Sequence, residues 1–210
     1  MKLIILAAPG AGKGTQAEAL SKHYGIPTIS TGAILRKNIA EGTELGEIAA
    51  KYINDGNFVP DDVMIDVVKD RLSADDCKNG FILDGFPRTL NQAEALEASD
   101  IDIDVVLNLQ VDDSEIIERL SGRLECKGCG SSYHKLHKRP KVEGVCDNCG
   151  GALTTRADDK PEIIKERLAT YYRQTAPLID FYKEREMLKI AIGRESIADT
   201  SAAVIEALEG

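Results

Sequence analysis

The sequence predicts an α/β fold in which a parallel sheet is flanked by helices. Short apolar runs alternate along the 210 residues with longer stretches of helical periodicity, which is the pattern of strands joined by helical crossovers. A glycine-dense loop with one lysine directly follows the first apolar run. In open sheets of this class, ligands gather beyond the carboxyl ends of the strands, so we expect a binding site there.

The individual elements follow from the apolar patterns. Five runs predict strands at residues 3–6, 28–30, 81–83, 105–109 and 188–192. Helices are predicted at residues 15–22, 61–72 and 161–172. The second has Val63, Val67 and Val68 on one face behind an acidic first turn, and the third begins with Pro161, a residue favoured at the first helical position.

Composition excludes several classes of protein. With 43% hydrophobic and 5% aromatic residues, the chain is expected to bury one sizeable aliphatic core. A net charge of −9 argues against broad binding to nucleic acid or to anionic membranes. The apolar stretch at residues 3–8 is too short for a signal peptide, and no run approaches the ~20 residues that span a bilayer. We therefore expect a cytoplasmic protein without nucleic-acid or membrane partners.

The glycine-dense loop has the composition of a phosphate-binding loop. Gly10, Gly12 and Gly14 allow a tight turn that brings backbone N–H groups close to an anion, and Lys13 adds a positive charge. A helix that starts after the loop would add its N-terminal N–H groups, and Thr15 offers a hydroxyl that suits Mg²⁺. The alternative is a plain glycine-rich turn between a strand and a helix.

A cysteine-rich insert interrupts the alternation at residues 125–155. Cys126, Cys129, Cys146 and Cys149 form two CxxC pairs, each followed by glycine, as in structural zinc sites with four thiolates. His134 or His137 could replace one cysteine as a ligand. Two disulfides are disfavoured in a reducing cytosol, and Cys77, outside the cluster, is expected to be an ordinary buried thiol.

Together these motifs resemble the adenylate kinase family, in its long bacterial form with a metal-binding lid. The resemblance runs nearly end to end. It is carried by the segments Pro-Gly-Ala-Gly-Lys-Gly-Thr-Gln at 9–16, Ser-Thr-Gly at 30–32 with Leu-Arg at 35–36, Asp-Gly-Phe-Pro-Arg-Thr at 84–89, Thr-Arg at 155–156 with Asp-Asp at 158–159, and Thr-Ala-Pro-Leu at 175–178.

The resemblance implies a P-loop NTPase fold with three parts. The core, with a five-stranded parallel sheet, would comprise residues 1–29, 60–121 and 160–210. A helical flap over the monophosphate would span residues 30–59, and a small zinc-binding lid would span 122–159. The implied reaction is reversible, Mg²⁺-dependent phosphoryl transfer from ATP to AMP, giving two ADP, and the implied state is a monomer.

Site residues are also implied by the resemblance. The catalytic set is Lys13, Asp84, Arg88, Arg123, Arg156 and Arg167. ATP is expected to contact Gly10, Ala11, Gly12, Lys13, Gly14, Thr15, Arg119, Arg123 and Tyr133. AMP is expected to contact Thr31, Gly32, Arg36, Gly85, Arg88, Gln92, Arg156 and Arg167. Asp158 and Asp159 would engage the lid arginines as the lid closes, or they could cap the helix that starts near Pro161.

Three positions depart from the family pattern. Ala7 stands where the loop usually has its first glycine, Ala33 where an aspartate is common, and Asn57 where a lysine is frequent. The loss of the carboxylate at Ala33 predicts a weaker response to Mg²⁺. The resemblance also implies a cis peptide bond between Phe86 and Pro87.

Three alternative functions are compatible with parts of the sequence. The nearest is another nucleoside monophosphate kinase with UMP, CMP or GMP as acceptor; the spacing of Thr89 and Gln92 after Arg88 favours AMP. A zinc-ribbon nucleic-acid module fused to an NTPase is disfavoured by the acidity of the chain and the absence of an aromatic stacking pattern. A P-loop switch protein is the third candidate.

Overall fold

Five parallel strands form the central sheet of the computed structural model, which describes residues 1–55, 57–99 and 101–210. In chain order they are β1 (Lys2–Leu6), β2 (Thr28–Ser30), β3 (Phe81–Asp84), β4 (Val105–Gln110) and β8 (Leu188–Ile192). Their order in the sheet is β2-β3-β1-β4-β8. The predicted class and all five strands are confirmed, with bounds that differ by at most one residue at either end.

The helices lie between these strands in sequence. They are α1 (Lys13–Tyr24), α2 (Thr31–Glu41), α3 (Glu44–Ile53), α4 (Asp61–Leu72), α5 (Leu90–Glu97), α6 (Asp113–Ser121), α7 (Pro161–Thr170), α8 (Pro177–Lys183) and α9 (Ile197–Glu209). The predicted bounds of α4 are confirmed. The first helix begins at Lys13, two residues earlier than predicted, because Gly12 at φ 100° serves as its N-cap.

The strands β1, β3 and β4 are covered on both faces, which explains their apolar sequences. In β1, residues Leu3 and Ile5 pack with α1 and α9, whereas Ile4 and Leu6 pack against the core that includes Phe86. The four side chains of β1 named here are at most 2% exposed. Because β1 is central and its neighbours β3 and β4 come later in the chain, the turn after β1 lies at the point where strand order reverses.

The range 161–172, predicted as one helix, contains an α-helix followed by the start of a π-helical turn. α7 ends at Thr170, and Tyr171–Thr175 is a π-helical turn that precedes α8. Within that turn, Thr175 donates from Oγ1 to the carbonyl oxygen of Arg88 at 2.8 Å. The wider turn therefore ties this region to the loop after β3, a contact that periodicity does not predict.

The cysteine-rich insert forms a small antiparallel sheet of β5 (Arg123–Cys126), β6 (Ser132–His134) and β7 (Leu153–Thr154), in the order β6-β5-β7. The insert begins two residues earlier than predicted, because α6 ends at Ser121. A Cβ atom on Gly122 would lie 2.2 Å from Nε2 of His134, so only glycine fits at this crossing. The three-part division, which includes Gly56 and Asp100 outside the described residues, stays a prediction.

Candidate active site

One cavity of about 890 Å³ lies at the carboxyl ends of the central strands. Its walls include all the predicted ATP-binding, AMP-binding and catalytic residues. They also include Asp158, one of the two predicted lid-closure carboxylates; the other, Asp159, lies behind the cavity wall with its side chain fully buried. The structure thus brings together residues that lie far apart in the sequence.

The phosphate-loop candidate has the backbone that its glycines predict. Gly10 and Gly12 have φ of 89° and 100°, in the left-handed region that favours glycine. A Cβ atom on Gly10 would lie 2.6 Å from Cγ of Leu120, so the loop also needs glycine for space. The loop leads directly into α1, whose N-terminal N–H groups suit an anion.

Lys13 lies across its own loop. Its ammonium donates to the carbonyl oxygens of Ala7 and Ala8 at 2.6 and 2.9 Å. Burial lowers the pKa of Lys13 to about 7, Asp84 opposes the shift, and the positive charges of Arg88, Arg167 and Arg123 add to it. An anion bound here would reverse this effect, because it supplies the negative charge that the site lacks.

The arginines of the cavity are held close together. Burial lowers the pKa of Arg88, and the charge of Arg167 lowers it further. For Arg123 the causes are burial and then the charge of Arg156. Several guanidinium groups that converge in a buried site suit a polyanionic ligand, which would compete with the carboxylates that pair with them in this structure.

The two predicted lid-closure carboxylates contact the arginines. Asp159 accepts from Nε of Arg123 at 2.7 Å and from Nη1 of Arg167 at 3.0 Å. Asp158 lies 3.0 Å from Nη1 of Arg167. Burial acts to raise the pKa of Asp158, but Arg167 and the other arginines outweigh it and hold that pKa below its usual value. The alternative role as helix cap is wrong, because Lys160 is the N-cap of α7.

Glu125 is a site residue that the sequence analysis missed. Its Oε2 accepts from Nε of Arg156 at 2.7 Å, its Oε1 lies 3.3 Å from Nη2 of Arg36, and its side chain is 13% exposed. Burial and the charge of Arg156 lower the pKa of Arg36 to about 10, while Glu125 opposes the shift. Residues two apart in a strand share a face, so Glu125 lies on the same face of β5 as Arg123; the apolar pattern of the sequence predicts no strand there.

The acceptor side of the cavity centres on the turn after β3. Oγ1 of Thr31 and Nε of Arg88 both donate to the carbonyl oxygen of Gly85, at 2.9 and 2.7 Å. Gly85 has φ 87°, and a Cβ atom there would lie 2.8 Å from Nη2 of Arg88. The predicted cis bond before Pro87 is confirmed. Gln92 follows with its side chain 2% exposed.

Two predicted ATP-side residues have contacts that the sequence does not show. Arg119 lies on α6 and Arg123 on β5, because α6 ends between them. Nη1 of Arg119 donates to the carbonyl oxygen of Ala11 at 3.3 Å, which places it over the phosphate loop. Tyr133 borders the cavity, but its hydroxyl accepts from the N–H of Asp147 at 2.8 Å, inside the cysteine-rich insert.

The four cysteines fit a tetrahedral metal site. Their sulfur atoms all lie within 4.8 Å of one another, with Cys126 and Cys149 at 3.4 Å and Cys129 and Cys146 at 3.5 Å. Thiolates at the ~2.3 Å zinc–sulfur distance of a tetrahedral site lie about 3.8 Å apart, close to these values. None of these four forms a disulfide, and Cys77 is a buried thiol elsewhere. His134 is committed to its own turn, since its Nδ1 accepts from the N–H groups of residues 136 and 137.

Comparisons with known proteins cover the whole chain. The family model described as adenylate kinase matches residues 5–187. An adenylate kinase of Caldicellulosiruptor saccharolyticus is 57% identical, with 99% of each chain covered, and one of Acetivibrio thermocellus is 51% identical over 100% of this chain and 99% of its own. One of Methanosarcina barkeri is 53% identical over 94% and 93%. Among the described helices, none has the length and apolarity needed to cross a membrane.

Proposed function

The chain belongs to the adenylate kinase family, a family of nucleoside monophosphate kinases, and we propose that the cavity described above is where it transfers a phosphoryl group reversibly between ATP and AMP. The observation that carries the assignment of the site is the convergence of two different anion sites on one cluster of arginines. The loop after β1 supplies the first site, and Arg36 and Arg88 supply the second.

ATP is assigned to the loop side. Backbone N–H groups from Gly10 to Thr15 and the ammonium of Lys13 would hold its phosphates. Arg119, which contacts the loop at Ala11, would lie against the base. Tyr133 lines the ATP side of the cavity, although its hydroxyl accepts a hydrogen bond from the N–H of Asp147.

AMP is assigned to the β3 side. Arg36 and Arg88 carry planar guanidinium groups that suit the oxygens of its phosphate. Thr31, Gly32 and Gln92 line the space where its adenine would lie, and the missing Cβ of Gly85 allows the base to approach the backbone.

The chemistry needs positioning and charge stabilisation. The phosphate of AMP is ionised at neutral pH and is itself the nucleophile, so no general base is required. Arg123, Arg156 and Arg167 would surround the phosphoryl group in transit and stabilise the charge on its oxygens. Asp158 and Asp159 hold two of these arginines in place, which is the role we propose for them in a closed lid.

Two metals are proposed with different roles. Mg²⁺ would come with ATP and neutralise phosphate charge; Asp84, whose Oδ2 lies within 3.7 Å of a Cβ built on Gly14, and the hydroxyl of Thr15 are the groups that would orient it. Zn²⁺ would be structural, since four thiolates complete its shell. The small core around Cys126, Tyr133 and Cys146 is the only hydrophobic cluster assigned to the insert among the described residues, so a metal would supply folding free energy there.

The remaining assignments rest on the family. We propose that residues 30–59 and 122–159 move as flap and lid over the core. We further propose that the protein acts as a cytoplasmic monomer and has no nucleic-acid or membrane partner.

An acceptor panel tests the function. ATP would be combined in turn with AMP, GMP, UMP or CMP, with and without Mg²⁺, and ADP measured. We expect ADP only with an acceptor and Mg²⁺ present, and a rate highest with AMP. Arg88→Met should raise the KM for AMP, whereas Arg185→Met, on an arginine paired with Glu97 away from the cavity, should not. ADP formed from ATP alone, indifferent to AMP, would contradict the assignment.

A further inference from the structure

We propose that Asp61 is a positioning residue that sets the base specificity of the acceptor site, by fixing which way the carboxamide of Gln92 faces. The inference rests on the proposed function for one point, that Gln92 meets the acceptor base. Asp61 itself lies behind Gln92, in the wall of a second, open groove with Thr89.

The carboxylate of Asp61 joins α4 to the start of α5. Its Oδ1 accepts from Nε2 of Gln92 at 2.6 Å, and its Oδ2 accepts from Oγ1 of Thr89 at 2.9 Å and Nδ2 of Asn91 at 3.1 Å. Three side chains from the N-cap and first turn of α5 therefore donate to a single carboxylate. Such charge-assisted hydrogen bonds are shorter and stronger than neutral ones.

The other end of the Gln92 carboxamide is also held. Its Oε1 accepts from the backbone N–H of Arg88 at 2.8 Å. An ionised carboxylate can only accept, and a backbone N–H can only donate. Turning the carboxamide over would place N–H against N–H and oxygen against carboxylate, in a side chain that is 2% exposed. Two groups with opposite requirements thus permit one orientation.

The orientation of the Gln92 carboxamide determines which purine base can form hydrogen bonds with it. After these two hydrogen bonds, the carboxamide keeps one N–H on Nε2 and one lone pair on Oε1. Adenine presents an acceptor at N1 beside a donor at its 6-amino group. Hypoxanthine and guanine present the reverse, a donor at N1 beside an acceptor at O6. A carboxamide that turns over would therefore exchange one preference for the other, whereas a fixed one discriminates between them.

The alternative is that Asp61 only links α4 to α5 and has no effect on specificity. Loss of such a link would lower stability and would reduce activity with every acceptor alike. It would not change the ratio between two acceptors of equal size. Inosine monophosphate is the sharpest probe, because it differs from AMP at the 6-position and N1 and lacks the extra amino group of GMP.

The experiment compares kcat/KM for AMP with kcat/KM for inosine monophosphate. Asp61→Ala is expected to lower this ratio about tenfold or more, since one of the two groups that fix the carboxamide is lost. Asp61→Leu serves if the alanine variant does not fold. The matched control is Asp62→Asn, an exposed aspartate next along the same helix, whose loss changes the same local charge and should leave the ratio unchanged.

A second variant separates this inference from the proposed function. Gln92→Leu should remove most of the discrimination, and Asp61→Ala added to it should change the ratio no further. If Asp61→Ala and Asp61→Leu leave the ratio at its wild-type value while Gln92→Leu lowers it, the positioning role is overturned and the AMP site stands. If Gln92→Leu also leaves the ratio unchanged, both the positioning role and the placement of Gln92 against the base are overturned.

Discussion

Glu125 and Arg156 form a two-pronged ion pair, with Nε of Arg156 donating to Oε2 of Glu125 at 2.7 Å and Nη2 donating to Oε1. Oε1 also lies 3.3 Å from Arg36. A carboxylate on the predicted lid therefore engages one arginine proposed to bind the AMP phosphate and another proposed to stabilise the phosphoryl group in transit. It occupies guanidinium edges that a phosphate would need.

We predict that Glu125→Gln lowers the KM for AMP about three- to tenfold, because it removes a negative charge that competes with the phosphate for Arg36 and Arg156. Steady-state kinetics with AMP varied at saturating ATP measure the effect. Glu143→Gln, on an exposed glutamate of the same insert, is the control and should leave the KM unchanged. A rise in KM for Glu125→Gln would show instead that the carboxylate helps to position the arginines.

The lowered pKa of Lys13 predicts that the protein takes up a proton when ATP binds. With its pKa lowered to about 7, most Lys13 side chains are neutral at pH 8 in the free protein, and a bound polyphosphate restores the ammonium. Titration calorimetry at pH 8 in buffers of different ionisation enthalpy should show close to one proton taken up per ATP. At pH 6, where Lys13 is already charged, the uptake by this group should be small.

The lowered pKa of Lys13 also makes the free energy of unfolding depend on pH. Because the pKa is lower in the folded than in the unfolded protein, the unfolded chain binds more protons between about pH 7 and pH 10.5, and Lys13 contributes a free energy of unfolding that rises with pH across this window. Lys13→Arg, whose side chain stays charged, is the control and should lose both effects. Equal proton uptake by wild type and variant would refute the assignment to Lys13.

Removal of one cysteine ligand should affect stability more than chemistry. We expect about one bound metal per chain by elemental analysis, and we expect Cys126→Ser to lose it and to melt roughly 5–10 °C lower, because the insert has little apolar core of its own. The kcat at temperatures well below melting should change less than threefold. Cys77→Ser, at the buried thiol outside the cluster, should keep its metal. Full metal content in Cys126→Ser would contradict a four-thiolate site.

Because Ala33 lacks a carboxylate, we predict that the reaction rate depends weakly on Mg²⁺ and that an aspartate at this position strengthens that dependence. Ala33 lines the cavity at the start of α2, where the family commonly has an aspartate. Ala33→Asp should lower the Mg²⁺ concentration needed for half-maximal rate, since a carboxylate there can order waters of the ion. Ala33→Asn, similar in shape and uncharged, should have a smaller effect. An unchanged Mg²⁺ dependence in Ala33→Asp would end this explanation.

Local patterns in the sequence predict the sheet and the outline of the site. Strands β1, β3 and β4 are short, apolar and mostly buried, so their composition marks them, and their carboxyl ends mark the place of the cavity; the edge strands β2 and β8 are more exposed. The candidates from Gly10 to Arg167 line that cavity because motifs fix the positions of their residues relative to strand ends and helix starts.

Contacts between distant segments could not be predicted in the same way. The close approach of His134 to Gly122 at the end of α6 joins two different elements, and helical periodicity does not predict it. Asp61 and Glu125 gain their importance only when α4 meets α5 and when β5 meets α2. Tyr133 borders the cavity as the resemblance implies, but its hydroxyl bonds to the backbone of Asp147 inside the insert, a contact that the sequence does not reveal.

The placement of the arginines within an acidic protein has a consequence for the rate of encounter with ligand. The chain carries a net charge of −9, yet its cavity collects Lys13 and at least five arginines, so the excess of negative charge lies on the outer surface. A nucleotide approaching from solution meets a repulsive field first and an attractive one only within about a Debye length of the cavity, ~8 Å at physiological salt. The field of the protein therefore does not accelerate nucleotide association over long range. Added salt screens both fields, so it should lower the affinity for nucleotide far more than it changes the association rate.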